Sequence, residues 1–178
     1  MKLLDTTFLI HYWGGVDTVA AYLESTEDSE FITTALNIKE IAVGRELQGE
    51  LSQPEIQSTF DWVEIVPFTN DHAFRAAVLE ANLHRDEKIN RDKINALTAD
   101  LLVAAVASER DATVVTQNTA DFEQFAGVST ESYRYDDTFC YTILIQQYVL
   151  LYYFTVGVFH NSDYNSPVVC LISPASRS

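Results

Sequence analysis

The chain carries four acidic residues from which carboxylates could act together on one bound cation: Asp5, Glu40, Asp100 and Asp121. Asp100 lies in the first turns of an apolar helix, three residues after Leu97 and three before Val103, so it shares a face with apolar side chains. An ionised carboxylate is costly to bury alone, which indicates that Asp100 has a partner. Carboxylates that hold a hard divalent cation can activate water and offset charge on a phosphodiester.

Asp5 and Asp121 each follow a short apolar run that is typical of a β-strand. The first predicted strand ends at Asp5, and a later strand over residues 113–115 ends shortly before Asp121. Ligands of a parallel sheet bind beyond the carboxyl ends of its strands, so we expect Asp100 and Asp121 to converge there. The alternative is that these three acids only cap helices or complement helix dipoles.

Glu40 lies on the apolar side of a predicted amphipathic helix over residues 35–48. Leu36, Val43 and Leu47 follow one line along that helix, and Glu40 stands on the same line. A solvated glutamate would be expected on the opposite side, so its place indicates a role at a site. The alternative is a residue at the rim of the core, half in water.

The rest of the pattern predicts helices that alternate with short strands. The predicted helices, besides the one that carries Asp100, span residues 8–13, 16–23, 35–48, 55–62 and 69–83. The predicted strands span residues 2–4, 31–33, 64–66 and 113–115. Such alternation predicts an α/β fold with a central parallel sheet covered by helices on both faces.

The 178 residues suggest one domain with a possible appendage, and the net charge of −15 is extreme for this length. Residues 1–133 hold 23 Asp and Glu against 9 Lys and Arg, scattered along the chain. This acidic coat fits a high-salt cytoplasm, where the Debye length is about 3 Å at 1 M; a generic acidic domain is the alternative. The absence of CxxC and HExxH motifs argues against zinc, and we expect His72 and His84 at the surface. The charged start argues against a signal peptide and predicts a cytoplasmic location.

The single basic cluster of the chain lies between residues 84 and 93. A run of this kind is usually a solvated helix end, but it is also the best candidate for contact with phosphates. The residues concerned are Arg85, Lys88, Arg91 and Lys93.

Residues 134–178 differ in composition from the rest and are interpreted as an atypical apolar, aromatic-rich extension. They contain no Glu and no Lys, and they hold 9 of the 21 aromatic residues and both cysteines. Residues 138–162 carry no charged Asp, Glu, Lys or Arg side chain, which is long enough for a membrane helix of about 20 residues. Two glutamines within the run and its strand-like Thr, Tyr and Val content argue against a membrane. An extra hairpin, or an exposed tail acquired by frameshift or loss of a stop codon, are the other interpretations.

The acids and the segments around them resemble the PIN-domain ribonucleases, in particular the VapC toxins of VapBC toxin–antitoxin pairs. The matching segments are LLDTTFLI, NIKEIAVG, ALTADLLVAAVA and TVVTQNTADF, ending in GVSTESY, within residues 1–133. The resemblance implies a three-layer α/β/α sandwich with a Mg²⁺ or Mn²⁺ site that cleaves RNA. It implies that Asp5, Glu40, Asp100 and Asp121 are the catalytic, metal-binding quartet, supported by Thr6, Thr116 and Asn118.

The same resemblance implies a homodimer and a small VapB-like antitoxin whose basic segment enters the acidic site. Together with the acidic coat, it points to a halophilic archaeon as the source. A PIN-fold RNA-processing nuclease without an antitoxin is one alternative function. Another is a non-catalytic acidic metal-binding module or a receiver domain that accepts a phosphoryl group. A receiver domain needs paired acids near the first strand and a late lysine, whereas Asp5 stands alone and no lysine follows Lys93.

Overall fold

The computed structural model describes residues 1–133, which form a five-stranded sheet with helices on both faces. The strands are β1 (Lys2–Leu4), β2 (Phe31–Thr34), β3 (Glu64–Val66), β4 (Thr113–Val115) and β5 (Thr130–Glu131). The helices are α1 (Thr6–Trp13), α2 (Asp17–Ser25), α3 (Ala35–Leu47), α4 (Gln53–Thr59), α5 (Asn70–Arg85), α6 (Arg91–Ala96), α7 (Thr98–Glu109) and α8 (Thr119–Phe122). The sheet order is β3-β2-β1-β4-β5, and every neighbouring pair is parallel. The predicted α/β fold with a central parallel sheet is confirmed.

The central strands bury side chains on both faces of the sheet, because successive residues of a strand point in opposite directions. Leu3 of β1 and Val114 of β4 pack against α5, α6, α7 and α8 on one face. Leu4 and Val115, the next residues of the same strands, pack against α1, α2, α3 and α4 on the other face. The result is a three-layer sandwich with one hydrophobic core on each side of the sheet.

Helix α7 is buried on nearly all sides, as its sequence predicts. Residues 103–107 are all buried, and the helix packs chiefly against α5. Because α7 leads directly into the parallel strand β4, it runs antiparallel to the sheet and begins at the carboxyl ends of the strands. Asp100, in its first turn, is thereby carried to the edge where ligands of parallel sheets bind.

Three elements, α6, α8 and β5, were not predicted from the sequence. Helix α8 has only four residues, in the stretch after β4 that was predicted as a turn. Helix α6 lies in the charged connector and buries only Ile94, so its apolar pattern is too short to recognise. Strand β5 has two residues and is held by parallel pairing with β4, Val114 opposite Thr130. The fourth helix ends at Thr59, three residues earlier than predicted, where the chain turns at the buried Phe60.

The expectation that His72 lies at the surface is wrong. Its side chain is only 4% exposed, because its ring serves as the return half of a capping box at the start of α5. The backbone N–H of Thr69 donates to His72 Nδ1 at 3.0 Å, and the ring packs beside Phe68. His84 is exposed, as predicted.

The predicted extension over residues 134–178, including the uncharged run 138–162, lies outside the described residues. Within residues 1–133, no helix combines the length and the apolar character that crossing a membrane requires.

Candidate active site

Asp5 sits at the junction of β1 and α1, and the register of the sheet decides what it meets. Leu4 pairs with Val115, so Asp5 and Thr116 leave their two strands side by side. Asp5 occupies the N-cap position of α1, yet its side chain makes no capping hydrogen bond. The hydrogen bonds of the Asp5 side chain therefore come mainly from other residues, described next.

The Asp5 carboxylate is 5% exposed and is held by donors from three elements. Thr116 Oγ1 donates to Oδ2 at 2.8 Å, and Thr7 Oγ1 donates to the same oxygen at 3.3 Å. Asn37 Nδ2 donates to Oδ1 at 3.1 Å. These contacts fix the orientation of Asp5, because each oxygen is held by a buried neighbour.

Asn37 connects Asp5 to Glu40 and was missed by the sequence analysis. It is fully buried in the first turn of α3, where it forms a capping box with Thr34. Besides Asp5, its Nδ2 reaches Thr6 Oγ1 at 2.9 Å, and Thr6 Oγ1 donates to Glu40 Oε2 at 2.5 Å. The signal that could have identified Asn37 is the Thr-x-x-polar spacing of a capping box.

Asn118 connects Asp100 to Asp121 on the other side of Asp5. Its Nδ2 donates to Asp100 Oδ2 at 3.3 Å and to Asp121 Oδ2 at 2.9 Å. Its backbone N–H donates to Thr116 Oγ1 at 2.9 Å, the same hydroxyl that donates to Asp5. The side-chain amide of Asn118 therefore bridges the carboxylates of Asp100 and Asp121. Its backbone N–H joins this pair to the Thr116 hydroxyl, which contacts Asp5.

These contacts form one continuous chain of hydrogen bonds that we call the acidic seam. In order along it stand Glu40, Thr6, Asn37, Asp5, Thr116, Asn118, Asp100 and Asp121. The structure thus brings together all four predicted acids and the three residues predicted to support them. They come from the β1–α1 junction, α1, α3, α7, α8 and the loop after β4, at the carboxyl edge of the sheet.

Three acids of the seam hold protons more tightly than free carboxylic acids do. Burial raises the pKa of Asp5, and the hydrogen bond from Thr116 only partly offsets it. Burial and then the charge of Asp5 raise the pKa of Glu40 against the hydrogen bond from Thr6. Burial, followed by repulsion from Asp5, Asp121 and Glu40, raises the pKa of Asp100 to about 8. When Asp5, Glu40 and Asp100 are ionised, the protein does not supply enough positive charge or hydrogen-bond donors to balance their negative charge.

Asp121 differs from the other three acids. Partial burial acts to raise its pKa, but hydrogen bonds from Lys93 and Asn118 outweigh that effect, so the pKa of Asp121 is lowered. Lys93 Nζ lies 2.5 Å from Asp121 Oδ1 in a half-exposed ion pair. Its positive charge also lowers the pKa of Asp100, against the larger effects that raise it.

Of the four predicted phosphate contacts, Lys93 is the one that the structure places at the seam. Arg85 donates to Asn82 Oδ1 at 3.0 Å on the exposed end of α5. Lys88 and Arg91 are exposed and form no ion pair within residues 1–133.

The seam offers the donors that a hard divalent cation prefers, namely carboxylate oxygens. Asp100 Oδ1 and Glu40 Oε1 accept no hydrogen bond from residues 1–133, so both are available to a cation. As the side chains stand, no three His, Cys, Asp or Glu residues of the described part are grouped to hold a metal ion. The donor chemistry of these carboxylates is the chemistry that Mg²⁺ or Mn²⁺ prefers.

Comparison with known proteins gives a family match and several similar solved structures. The model of the family described as PIN domain matches residues 2–128. The chain is similar to VapBC from Salmonella typhimurium, bound to DNA, with 18% identity over 75% of this chain and 100% of that one, at a TM-score of 0.61. It is similar to VapBC2 from Rickettsia felis, bound to a promoter DNA fragment, with 19% identity over 75% and 98% of the two chains, at a TM-score of 0.59. FitAcB from Neisseria gonorrhoeae gives 24% identity over 73% and 96%, at 0.57. The comparison with curated proteins gave no match.

Proposed function

The chain belongs to the PIN domain family, and from this premise we propose that it is a metal-dependent endoribonuclease, the toxin of a type II toxin–antitoxin pair. The observation that carries the proposal is the acidic seam, which links four carboxylates at the edge of the sheet through buried and partly buried hydrogen bonds. Crowded carboxylates with raised pKa values need a cation or protons, and a phosphodiesterase site uses a cation.

Asp5, Glu40 and Asp100 are the residues that would hold the ion in this proposal. A bound Mg²⁺ or Mn²⁺ supplies positive charge for phosphate oxygens and lowers the pKa of a coordinated water. Asp5 is the fixed point, because both of its oxygens are held by buried donors. Asn118 positions Asp100 beside Asp121, and Thr6 positions Glu40. Burial of Asp5 and partial burial of its neighbours keep bulk water from competing for the ion.

RNA must approach a strongly acidic domain in order to be cleaved. Molar salt screens that repulsion to about 3 Å, and the ion reverses the sign of the field at the seam itself. The exposed side chains Arg85, Lys88 and Arg91 stand on the connector that leads to Lys93, where they can pair with phosphates that flank the site. Cleavage of RNA implies action in the cytoplasm.

The proposed partners are a second copy of the chain and a small VapB-like antitoxin. The similar structures from Salmonella and Rickettsia are themselves VapBC complexes, which supports an antitoxin for this chain too. A basic segment of such a partner would find its complement in the uncompensated half of the seam. Residues 1–133 form the proposed nuclease domain, and residues 134–178 form an extension of other composition.

The nuclease proposal is tested by incubating RNA with the full chain at about 2 M KCl, with and without Mg²⁺ or Mn²⁺. We expect cleavage only with the metal. The variant Glu40→Gln keeps the oxygen that accepts from Thr6 but loses the charge, and it should lose most of the activity. Glu46→Gln on the exposed side of the same helix is the matched control and should cut as the wild type does. Equal activity of both variants would contradict the assignment of the site.

The antitoxin proposal needs a separate experiment. The chain is expressed with an affinity tag in its native host and purified at the salt concentration of the cytoplasm. We expect a small basic-tailed protein to co-purify and to inhibit RNA cleavage. Active nuclease that recovers no such partner would instead favour an RNA-processing enzyme.

A further inference from the structure

The backbone of Lys93 is held in place by the short helix α6. It lies in α6, whose N-cap Asn90 accepts from the Lys93 backbone N–H at 2.8 Å. Ile94 and Leu97 on either side of the helix end are buried in the core, so the backbone of Lys93 is anchored. Its ammonium is not anchored in the same way, because the side chain is 46% exposed.

The two ends of the acidic seam differ in charge. The Asp121 end is paired with the Lys93 ammonium, whereas the end formed by Asp5, Glu40 and Asp100 has no cationic partner within residues 1–133. At Asp121, the Lys93 ammonium lies on Oδ1 and pairs this carboxylate with a positive charge. The donors to both oxygens of Asp5 are neutral hydroxyl and amide groups. At Asp100 and Glu40, one oxygen of each accepts no hydrogen bond from the described part of the chain. A cation is therefore attracted to the half formed by Asp5, Glu40 and Asp100, and it meets an ammonium if it approaches Asp121.

We propose that Lys93 is a built-in counter-cation that occupies the Asp121 end of the seam and weakens the binding of a second divalent ion there. This inference rests on the proposed function, since it concerns the metal site of that nuclease. Asp5, Glu40 and Asp100 would then hold one ion tightly. A second ion binds only when the Lys93 side chain swings into water, which its exposure permits.

The size of the effect follows from the exposure of the pair. An exposed ion pair contributes little, so the need to displace Lys93 should weaken binding of the second ion by only about twofold to fivefold. A change of this size in the affinity for the second ion can be measured. It is also small enough that RNA or a high metal concentration could displace Lys93 from Asp121. A purely structural role of Lys93 would change stability without changing the number of ions bound.

The test is a Mn²⁺ titration of the full chain at constant KCl, with free Mn²⁺ measured by electron paramagnetic resonance. Four proteins are compared: the wild type, Lys93→Met, Lys93→Arg and Lys88→Met. Lys88→Met is the matched control, because it removes the same charge from an exposed position that forms no ion pair within residues 1–133. Lys93→Arg keeps the positive charge beside Asp121 and tests rescue.

We expect one tight Mn²⁺ in the wild type, in Lys93→Arg and in Lys88→Met. In Lys93→Met, we expect a second ion whose affinity is about twofold to fivefold higher than in the wild type. Equal binding curves for Lys93→Met and the wild type would overturn this inference while leaving the metal site intact. No Mn²⁺ binding by any of the four proteins would overturn the metal-dependent function as well. A gain that Lys88→Met shows equally would reduce the effect to net charge and also overturn the role of Lys93.

Discussion

Replacement of Asp100 by Asn should abolish RNA cleavage and, in the metal-free protein, make the domain more stable. Burial raises the pKa of Asp100 first, and the charges of three neighbours, Asp5, Asp121 and Glu40, raise it further. An asparagine has nearly the same shape and no charge. Its oxygen can accept from Asn118, and its amide can face the remaining carboxylates.

The sign and size of the stability change follow from the pKa of Asp100. Its pKa is raised from 3.8 to about 8, so between these values the folded protein keeps a proton that the unfolded chain has lost. The stability of the wild type therefore falls as the pH rises through this window. At 1.36 kcal/mol per pKa unit the limit is on the order of 5 kcal/mol, and relaxation and water entry reduce the expected gain of Asp100→Asn to about 1–3 kcal/mol near pH 9.

The assay is urea unfolding followed by circular dichroism, with EDTA and constant KCl, at about pH 3.5 and about pH 9. The two proteins should be nearly equal in stability at the lower pH, and Asp100→Asn should be the more stable at the higher pH. Asp61→Asn, an exposed acid in the turn between α4 and β3, is the control and should follow the wild type at both pH values. Adding Mn²⁺ should stabilise the wild type and have little effect on Asp100→Asn.

The reasoning would be refuted if the stability of wild type and Asp100→Asn changed in parallel with pH. That result would mean that Asp100 is well solvated and carries no excess repulsion. Full cleavage activity in Asp100→Asn would remove it from the site altogether, whatever the stability data showed.

Three further predictions concern the seam, the salt requirement and the domain boundary. Thr116→Val keeps the shape but leaves Asp5 and the backbone N–H of Asn118 short of a partner, so urea unfolding should show a loss of about 1–3 kcal/mol; a change near zero would contradict the seam. Thermal stability should rise between about 0.1 M and about 2 M KCl, because 23 acids against 9 bases repel one another in residues 1–133; a flat or falling midpoint would contradict this. A chain that ends at Tyr133 should remain soluble and cut RNA as well as the full chain, and its unfolding would place the extension in the core.

The sequence by itself determined the alternation of elements and the positions of the four acids. Short apolar runs with β-branched residues end at Asp5 and before Asp121, and the period of an apolar helix places Asp100 near its start. These are local properties, set by side-chain spacing of two or 3.6 residues, so they can be read without knowing what lies nearby. Parallel topology then follows from the alternation of strands with helices, and with it the edge where the acids meet.

Only the tertiary structure decided how the acids are held. The partner of Asp5 is Thr116, 111 residues away in the chain, and the residue that joins Asp5 to Glu40 is the unpredicted Asn37. Lys93, which the sequence offers as a phosphate contact, is paired with Asp121 because the short helix α6 places it there. Hydrogen-bond partners and burial depend on strand register and on which elements pack together. Register and packing involve residues that are distant in the chain, so the local spacing of side chains does not predict them. The sequence therefore located the charges, and packing divided them into an uncompensated half and a half neutralised by Lys93.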